Sequence, residues 1–379
     1  VATALIAVAG LTGTVAAGCS DGAGAAPDIT TTARAGVAPV PPEQGAYFGA
    51  WLPGTPVSGG DEGDEGDGGD GGDGSASPEP SESPSASPSA SVSPSPSSSG
   101  SGSGAPDADK PEMSDVTGFE GDLGRRLDIV QTYHGWQDGF PGGLAAEVAR
   151  SDRHLLLTWD GGDTREIVQG RFDELVRDRA RAIKKLGKPV FLRWSRDMDE
   201  LTEEERVHSP ADFIAAWKHM RKVFAEEKVD NVAWVWCPTA RGFGTRDAGA
   251  YYPGDAHVDW ICADARPSGD FDYQDLSDSL KPFMDWADDR AKPIMIAEFG
   301  VPRSYGERRA EWLRSAAETL QNPQVKAVVY FNSDERADGP RDERHRYAVT
   351  GDEHAVSALR ELATAPYFNP RNLPVTSGG

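Results

Sequence analysis

The sequence predicts a (β/α)8 TIM barrel on three observations. Short β-branched or aromatic runs alternate with longer helical patterns, seven such runs follow residue 111, and an eighth stands apart at Ala46–Trp51. The seven are Leu127–Tyr133, His154–Trp159, Pro189–Trp194, Asn231–Trp236, Val258–Asp264, Pro293–Phe299 and Lys326–Phe331. A closed barrel of this class needs eight strands, so Ala46–Trp51 is expected to pair with the strands ending at Tyr133 and Phe331. Between the strands, Arg171–Leu186, Pro210–Glu227, Asp275–Arg290 and Tyr305–Leu320 carry apolar residues at i, i+3 and i+4. Ser209 and Asp275 suit helix caps, and Pro189 and Pro293 sit where a strand begins and a missing donor does little harm. The alternative is a seven-stranded doubly wound sheet with residues 20–111 wholly disordered.

The barrel is expected over residues 45–370, with a short tail at 371–379. It is interrupted at 54–111, where apolar periodicity is lost: Asp61–Gly74 is Gly, Asp and Glu, and Ser75–Gly104 is largely Ser and Pro. Such a stretch cannot bury a core, so it reads as a solvated insertion in the loop after the first strand. The Asp/Gly run lacks the regular apolar position on which calcium-binding repeats pack. A formal charge of −23 in 379 residues argues against a nucleic-acid partner, whose phosphates would repel the chain, and leaves neutral polymers such as polysaccharides compatible. A monomer is expected.

Val1–Ala17 is apolar and small-residue-rich like a signal-peptide core, without an initiator Met or basic flank, so its beginning is expected to be truncated. It runs into Ala16-Ala17-Gly18-Cys19-Ser20, which is similar to a bacterial lipobox. Residues 1–19 are therefore expected to be a signal segment with lipidation at Cys19, and 20–44 a flexible tether holding an exported protein to the outer face of the cell membrane. Of three cysteines, Cys237 and Cys262 fall at the ends of neighbouring strands. Directly opposed cysteines on parallel strands fit disulfide geometry badly, so two buried free thiols are expected even though export permits oxidation.

Barrels of this kind hold their chemistry at the C-terminal ends of the strands. There Arg193-Trp194-Ser195-Arg196-Asp197-Met198-Asp199 resembles the strand 4 motif Arg-x-x-His-Glu-Met-Asn of glycoside hydrolase family 26, and Ile296-Ala297-Glu298-Phe299-Gly300 resembles its strand 7 motif. Further likenesses follow in order at Gly45–Trp51, Leu157–Asp160, Asn231–Trp236, Tyr251–Asp255 with Val258–Trp260, and Tyr330–Asn332, covering nearly the whole barrel. The resemblance implies a hydrolase of β-linked polysaccharides, mannan-like or a related glucan or xylan, working by retaining double displacement. It implies Glu298 as nucleophile and Asp197 in the acid/base position, with Arg193 among the substrate-binding residues. Such chemistry needs two carboxyl groups flanking the glycosidic bond.

Three positions of the strand 4 motif and the segment after strand 6 depart from the family pattern. Asp197 stands where the acid/base Glu should be, Arg196 where His is expected and Asp199 where Asn is expected, while after strand 6 Asp264-Ala265-Arg266 is found near where the family places a Tyr. Asp is one methylene shorter, which withdraws the carboxyl by about 1.5 Å and widens the pair beyond the roughly 5.5 Å suited to double displacement. The neighbouring Arg196 guanidinium is expected to lower the pKa of Asp197, the wrong direction for a general acid. Two other readings stay open. One is a non-catalytic carbohydrate-binding barrel in which Trp51, Trp159, Trp194 and Trp236 stack on sugar faces, although strand tryptophans also make good core. The other is a scaffold lipoprotein. No cofactor is expected, and no metal, since nothing in the spacing of Asp197, Asp199 and Asp264 selects an ion.

Overall fold

A computed structural model of the chain describes residues 29–54, 111–267, 273–334 and 343–376. Eight parallel strands close into one barrel in chain order: β1 Tyr47–Trp51, β2 Ile129–Gly135, β3 His154–Asp160, β4 Val190–Trp194, β5 Val232–Trp236, β6 Trp260–Ala265, β7 Ile294–Phe299 and β8 Val325–Phe331. As expected, Tyr47–Trp51 supplies the eighth strand, pairing with β8 over its whole length and with β2 at Gly49 and Ala50. Strand ends differ from the sequence reading by one or two residues. The expected helices appear shortened, as Asp173–Leu186, Pro210–Glu226, Leu276–Ala287 and Arg309–Thr319. Ser209 caps the second with its side chain, whereas the Asp275 carboxylate makes no capping bond to the third. Among the described residues three helices of eight residues or more went unforeseen, Met113–Leu123, Gly143–Arg150 and Glu353–Thr364.

Period-two alternation divides each strand between two cores. Inward residues such as Ile129, Leu156, Phe191, Trp260, Met295 and Val329 fill the barrel, while outward ones pack beneath the helices. Gly49 points inward where a Cβ would come within 2.6 Å of the Ile129 carbonyl oxygen, so only glycine lets β1 close against β2 there. Between β5 and β6 the chain crosses through short helical turns alone, and those strands share only two register pairs, Val235 with Trp260 and Trp236 with Ile261.

Both described chain ends are held against the barrel, and for residues 29–44 this departs from the flexibility expected of a tether. The described part of the expected tether lies bonded across the underside of the barrel: the Thr30 N–H donates to the Ala291 carbonyl at 2.6 Å, the Thr32 hydroxyl bonds Asp259, and Ala33 packs against the interior core. A polar, glycine-poor segment can be ordered in this way because strand-initiating residues of the barrel offer it acceptors. The tail is likewise held, with Val375 bridged antiparallel to Arg125 and the Thr376 N–H donating to Gly124. The signal segment, Cys19 and the insertion between Gly54 and Pro111 lie outside the described residues.

Candidate active site

The strand 4 and strand 7 motifs meet at the upper rim, and each is aimed by a local irregularity. On β7, Ala297 and Glu298 together oppose single positions on both neighbours: Ala263 and Asp264 of β6 face Ile296 and Glu298, and β8 shows a matching shift. This bulge adds a residue to β7, so Glu298 turns inward although strict alternation from Met295 and Ala297 would send it out. After β4, Ser195 and Asp197 adopt left-handed backbone with φ of 51° and 53°, uncommon for residues with a Cβ. The Asp197 N–H is held by the Cys237 carbonyl at 3.2 Å.

Glu298 is fully buried. Its Oε1 accepts from the Tyr133 hydroxyl and pairs with Arg193, and its Oε2 lies 3.1 Å from Arg266. Arg193, also fully buried, reaches on to both oxygens of Asp264 at 2.8 and 3.0 Å and to Thr158 at 3.1 Å. With its amide turned to satisfy the network, Gln131 accepts from Arg193 at 3.0 Å and donates to the bulged Ala297 carbonyl at 3.1 Å. The bulge is thus tied to the Glu298–Arg193 ion pair. Asp197 has a side chain 15% exposed, pairs with Arg196 at 2.7 Å through Oδ2, and keeps Oδ1 without a hydrogen-bond partner. Arg196 lies over the Tyr133 ring and also grips Asp160 at 3.0 Å.

The two carboxyls are driven apart in protonation. Burial pushes Glu298 upward, but Arg266, Arg193, Arg196 and the Tyr133 hydrogen bond outweigh it and hold the carboxyl well below the usual range. Asp197 is shifted the other way: loss of solvent and the nearby Glu298 charge raise it against the pull of Arg196, Arg266 and Arg193. The net lowering expected from Arg196 is therefore overturned: that guanidinium does pull the carboxyl down, but loss of solvent and the Glu298 charge outweigh it. Burial also raises Asp264 well above the carboxylate range despite Arg193. One carboxyl whose pKa is held low beside one whose pKa is raised is the division of labour that acid-base chemistry on a glycosidic bond requires.

Two cavities meet the site. One of about 390 Å3 is walled by Trp51, Tyr133, Asp160, Arg196 and Phe331, and one of about 740 Å3 by Asp197, Glu200, Arg241, Asp264, Arg266 and Tyr347. Glu298 lines neither. Of the tryptophans expected to bind sugar, only Trp51 faces a cavity, stacked on Phe331 at 5.0 Å between ring centroids. Trp159, Trp194 and Trp236 are fully buried outside the barrel wall, against Trp136, Phe213 and Trp286 respectively. Each follows an inward residue by one position and so must face out. Arg193 has no exposed surface for substrate and acts on Glu298 instead. Trp194→Ala is expected to lower unfolding free energy by about 3–5 kcal/mol, read by denaturant titration, and Trp51→Ala by markedly less because one ring face is open.

Sequence reading missed Tyr133 and Arg266 as partners of Glu298 and Asp264 as the second carboxylate on Arg193; Asp264 and Arg266 stood in the departing strand 6 segment, while nothing local marked Tyr133. Asp199 is committed to Thr239, accepting from its N–H at 2.9 Å and its hydroxyl at 2.6 Å, so it belongs to a loop clamp. Cys237 and Cys262 are bonded to each other, contrary to the expected free thiols; β5 leaves the ladder after Trp236, which frees Cys237 from regular parallel spacing and brings the Cα atoms to 4.4 Å. Their sulfurs and the Asp264 carboxylate lie within 4.8 Å of one another, but the sulfurs are consumed in the bond and Asp264 is taken by Arg193, so the trio does not fit a metal.

No model of a known protein family matches the chain. It is 28% identical over 284 residues to endoglucanase H of Acetivibrio thermocellus, a match that takes in 69% of this chain and spans 30% of that protein's length. Among solved structures, an endo-β-1,4-mannanase catalytic domain of glycoside hydrolase family 26 from Bacillus sp. superposes with a TM-score of 0.52 at 12% identity, over 65% of this chain and 79% of that one. A family 26 β-mannanase from Bacteroides ovatus gives 0.51 at 14%, over 66% and 82%, and a family 26 protein from Muricauda sp. gives 0.51 at 15%, over 69% and 82%. At these identities the structural likeness establishes the fold, a barrel shared with the family that the motifs resemble.

Proposed function

We propose that this chain is an exported glycoside hydrolase that cleaves a β-linked polysaccharide by retaining double displacement, with Glu298 as nucleophile and Asp197 as acid/base. The observation that carries this reading is the carboxyl pair at the ends of β4 and β7: the Glu298 pKa is held low, that of Asp197 is raised, and Asp197 lines the larger cavity, where a leaving group would sit. Arg193 and Tyr133 orient the nucleophile. The Acetivibrio relative is named an endoglucanase and the structural neighbours mannanases, so mixed-linkage β-glucan and β-mannan are the first polymers to test, with β-xylan third. The full chain is expected to release reducing ends from at least one of them, with the anomeric configuration of the first-formed product retained by NMR. Inversion, or the absence of any cleavage, counts against the mechanism.

A second reading, a carbohydrate-binding barrel without turnover, is favoured by one feature: Glu298 is sealed beneath Arg266 and Tyr133 and reaches neither cavity. Under that reading a polysaccharide binds through Trp51 and is not cut, and Trp51→Ala abolishes binding in affinity electrophoresis.

Anchoring through a lipid on Cys19, at the outer face of the cell membrane, belongs to the same proposal. Among the described residues no helix is long and apolar enough to cross a membrane. Cys19→Ala is expected to shift the protein from the membrane fraction to the medium; a variant that stays membrane-bound without acylation refutes the anchor.

A further inference from the structure

We infer that the Cys237–Cys262 disulfide is a positioning strut for the two carboxyl groups of the site, an inference that rests on the proposed pairing of Asp197 with Glu298. Both cysteines are fully buried and point into the barrel directly below the rim. The bond crosses one of the two most sparsely paired seams of the barrel. β5 and β6 share two register pairs where β2 and β3 share seven, and only short helical turns connect them. Above the bond the backbones rejoin irregularly, the Asp264 N–H donating to Pro238 at 3.1 Å and the Ala240 N–H to Asp264 at 2.9 Å.

Each half of the bridge leads to one functional group. The Cys237 carbonyl accepts the Asp197 N–H at 3.2 Å, at a residue whose left-handed backbone needs an external hold. Two residues after Cys262, Asp264 takes Arg193 at 2.8 Å, and Arg193 takes Glu298. The Cys237 sulfur itself lies 3.3 Å from the Asp264 carboxylate and 3.8 Å from the Arg193 guanidinium. Moving β5 relative to β6 would therefore separate the anchor of Asp197 from the anchor of Glu298. Misplacement of a reacting group by an ångström is worth about 100-fold in rate.

The test compares the wild type with Cys237→Ala/Cys262→Ala and the fuller-volume Cys237→Ala/Cys262→Val. Peptide mapping of the unreduced wild type is expected to recover the two cysteines linked. The variants are expected to fold with a lower Tm. Followed by 13C NMR of its carboxyl carbon, Asp197 is expected to titrate above the ordinary aspartate range in the wild type and to fall back toward it in both variants. On a cleaved polysaccharide, kcat is expected to drop about 10- to 100-fold with KM nearly unchanged. Free thiols in the wild type, an unmoved Asp197 titration with unchanged kcat, or failure of both variants to fold overturns the strut, the last because the bond is then a requirement of the whole fold. A wild type that cleaves nothing while its Asp197 titration still shifts in the variants keeps the strut and removes the hydrolase reading.

Discussion

Glu298→Gln is expected to lower kcat/KM on any cleaved polysaccharide on the order of 10⁴-fold or more, the scale seen when a nucleophile is removed from a coupled site. The amide is near-isosteric but neither attacks the sugar carbon nor balances Arg193 and Arg266, which now face each other across an uncharged group. Like-charge crowding in a buried place also predicts a measurable fall in Tm. Steady-state rates and thermal unfolding on the same preparation separate the two effects. Retention of more than a few per cent of activity by the folded variant would remove Glu298 from the nucleophile's role.

The second large effect concerns Asp197, whose two substitutions are expected to act in opposite directions. Asp197→Asn removes the donated proton and is expected to cost about 10² to 10⁴ in kcat on a polysaccharide. The loss shrinks on aryl glycosides whose acidic phenol departs unaided. Asp197→Glu restores the missing methylene and is expected to raise kcat, provided Arg196 lets go of the longer carboxylate. The pH profile supplies the sign. Asp197 must be protonated to donate and its pKa is raised, so activity falls as pH climbs through that raised value. Glu298 must be ionised and is held low, so the acid limb lies below the ordinary carboxylate range. In Asp197→Asn the alkaline limb should vanish while the acid limb stays.

Fold and site were unequally legible. Strand count and order could be read because each β run is buried on both faces and therefore apolar, and because a closed barrel demanded that Tyr47–Trp51 be recruited across the low-complexity stretch. The same alternation also told more than was taken from it. Arg193 and Trp194 cannot both face the cleft, and since Arg193 faces in, Trp194 had to face the helices; Thr158 with Trp159 and Val235 with Trp236 repeat the lesson. Glu298 is the reverse case, where alternation misleads and only a bulge, set by backbone pairing with two other strands, turns the side chain inward. The raised pKa of Asp197 was illegible for a related reason. It comes from loss of solvent and from the Glu298 charge, both set by how the ends of β4 and β7 are brought together and not by the neighbouring Arg196. The disulfide likewise depends on where β5 leaves its ladder, which no local pattern records.

The strap from Thr30 to Ala33 crosses the end of the barrel opposite the carboxyl pair, since its partners Asp259 and Ala291 precede β6 and β7. With the proposed lipid on Cys19, about ten residues, at most about 35 Å of fully extended chain, separate that strap from the bilayer. The barrel would stand with its base toward the lipid headgroups and its mouth toward the surroundings, free to meet a polymer too large to approach the membrane itself. Orientation would come from the strap's hydrogen bonds to the barrel and not from any property of the cleft.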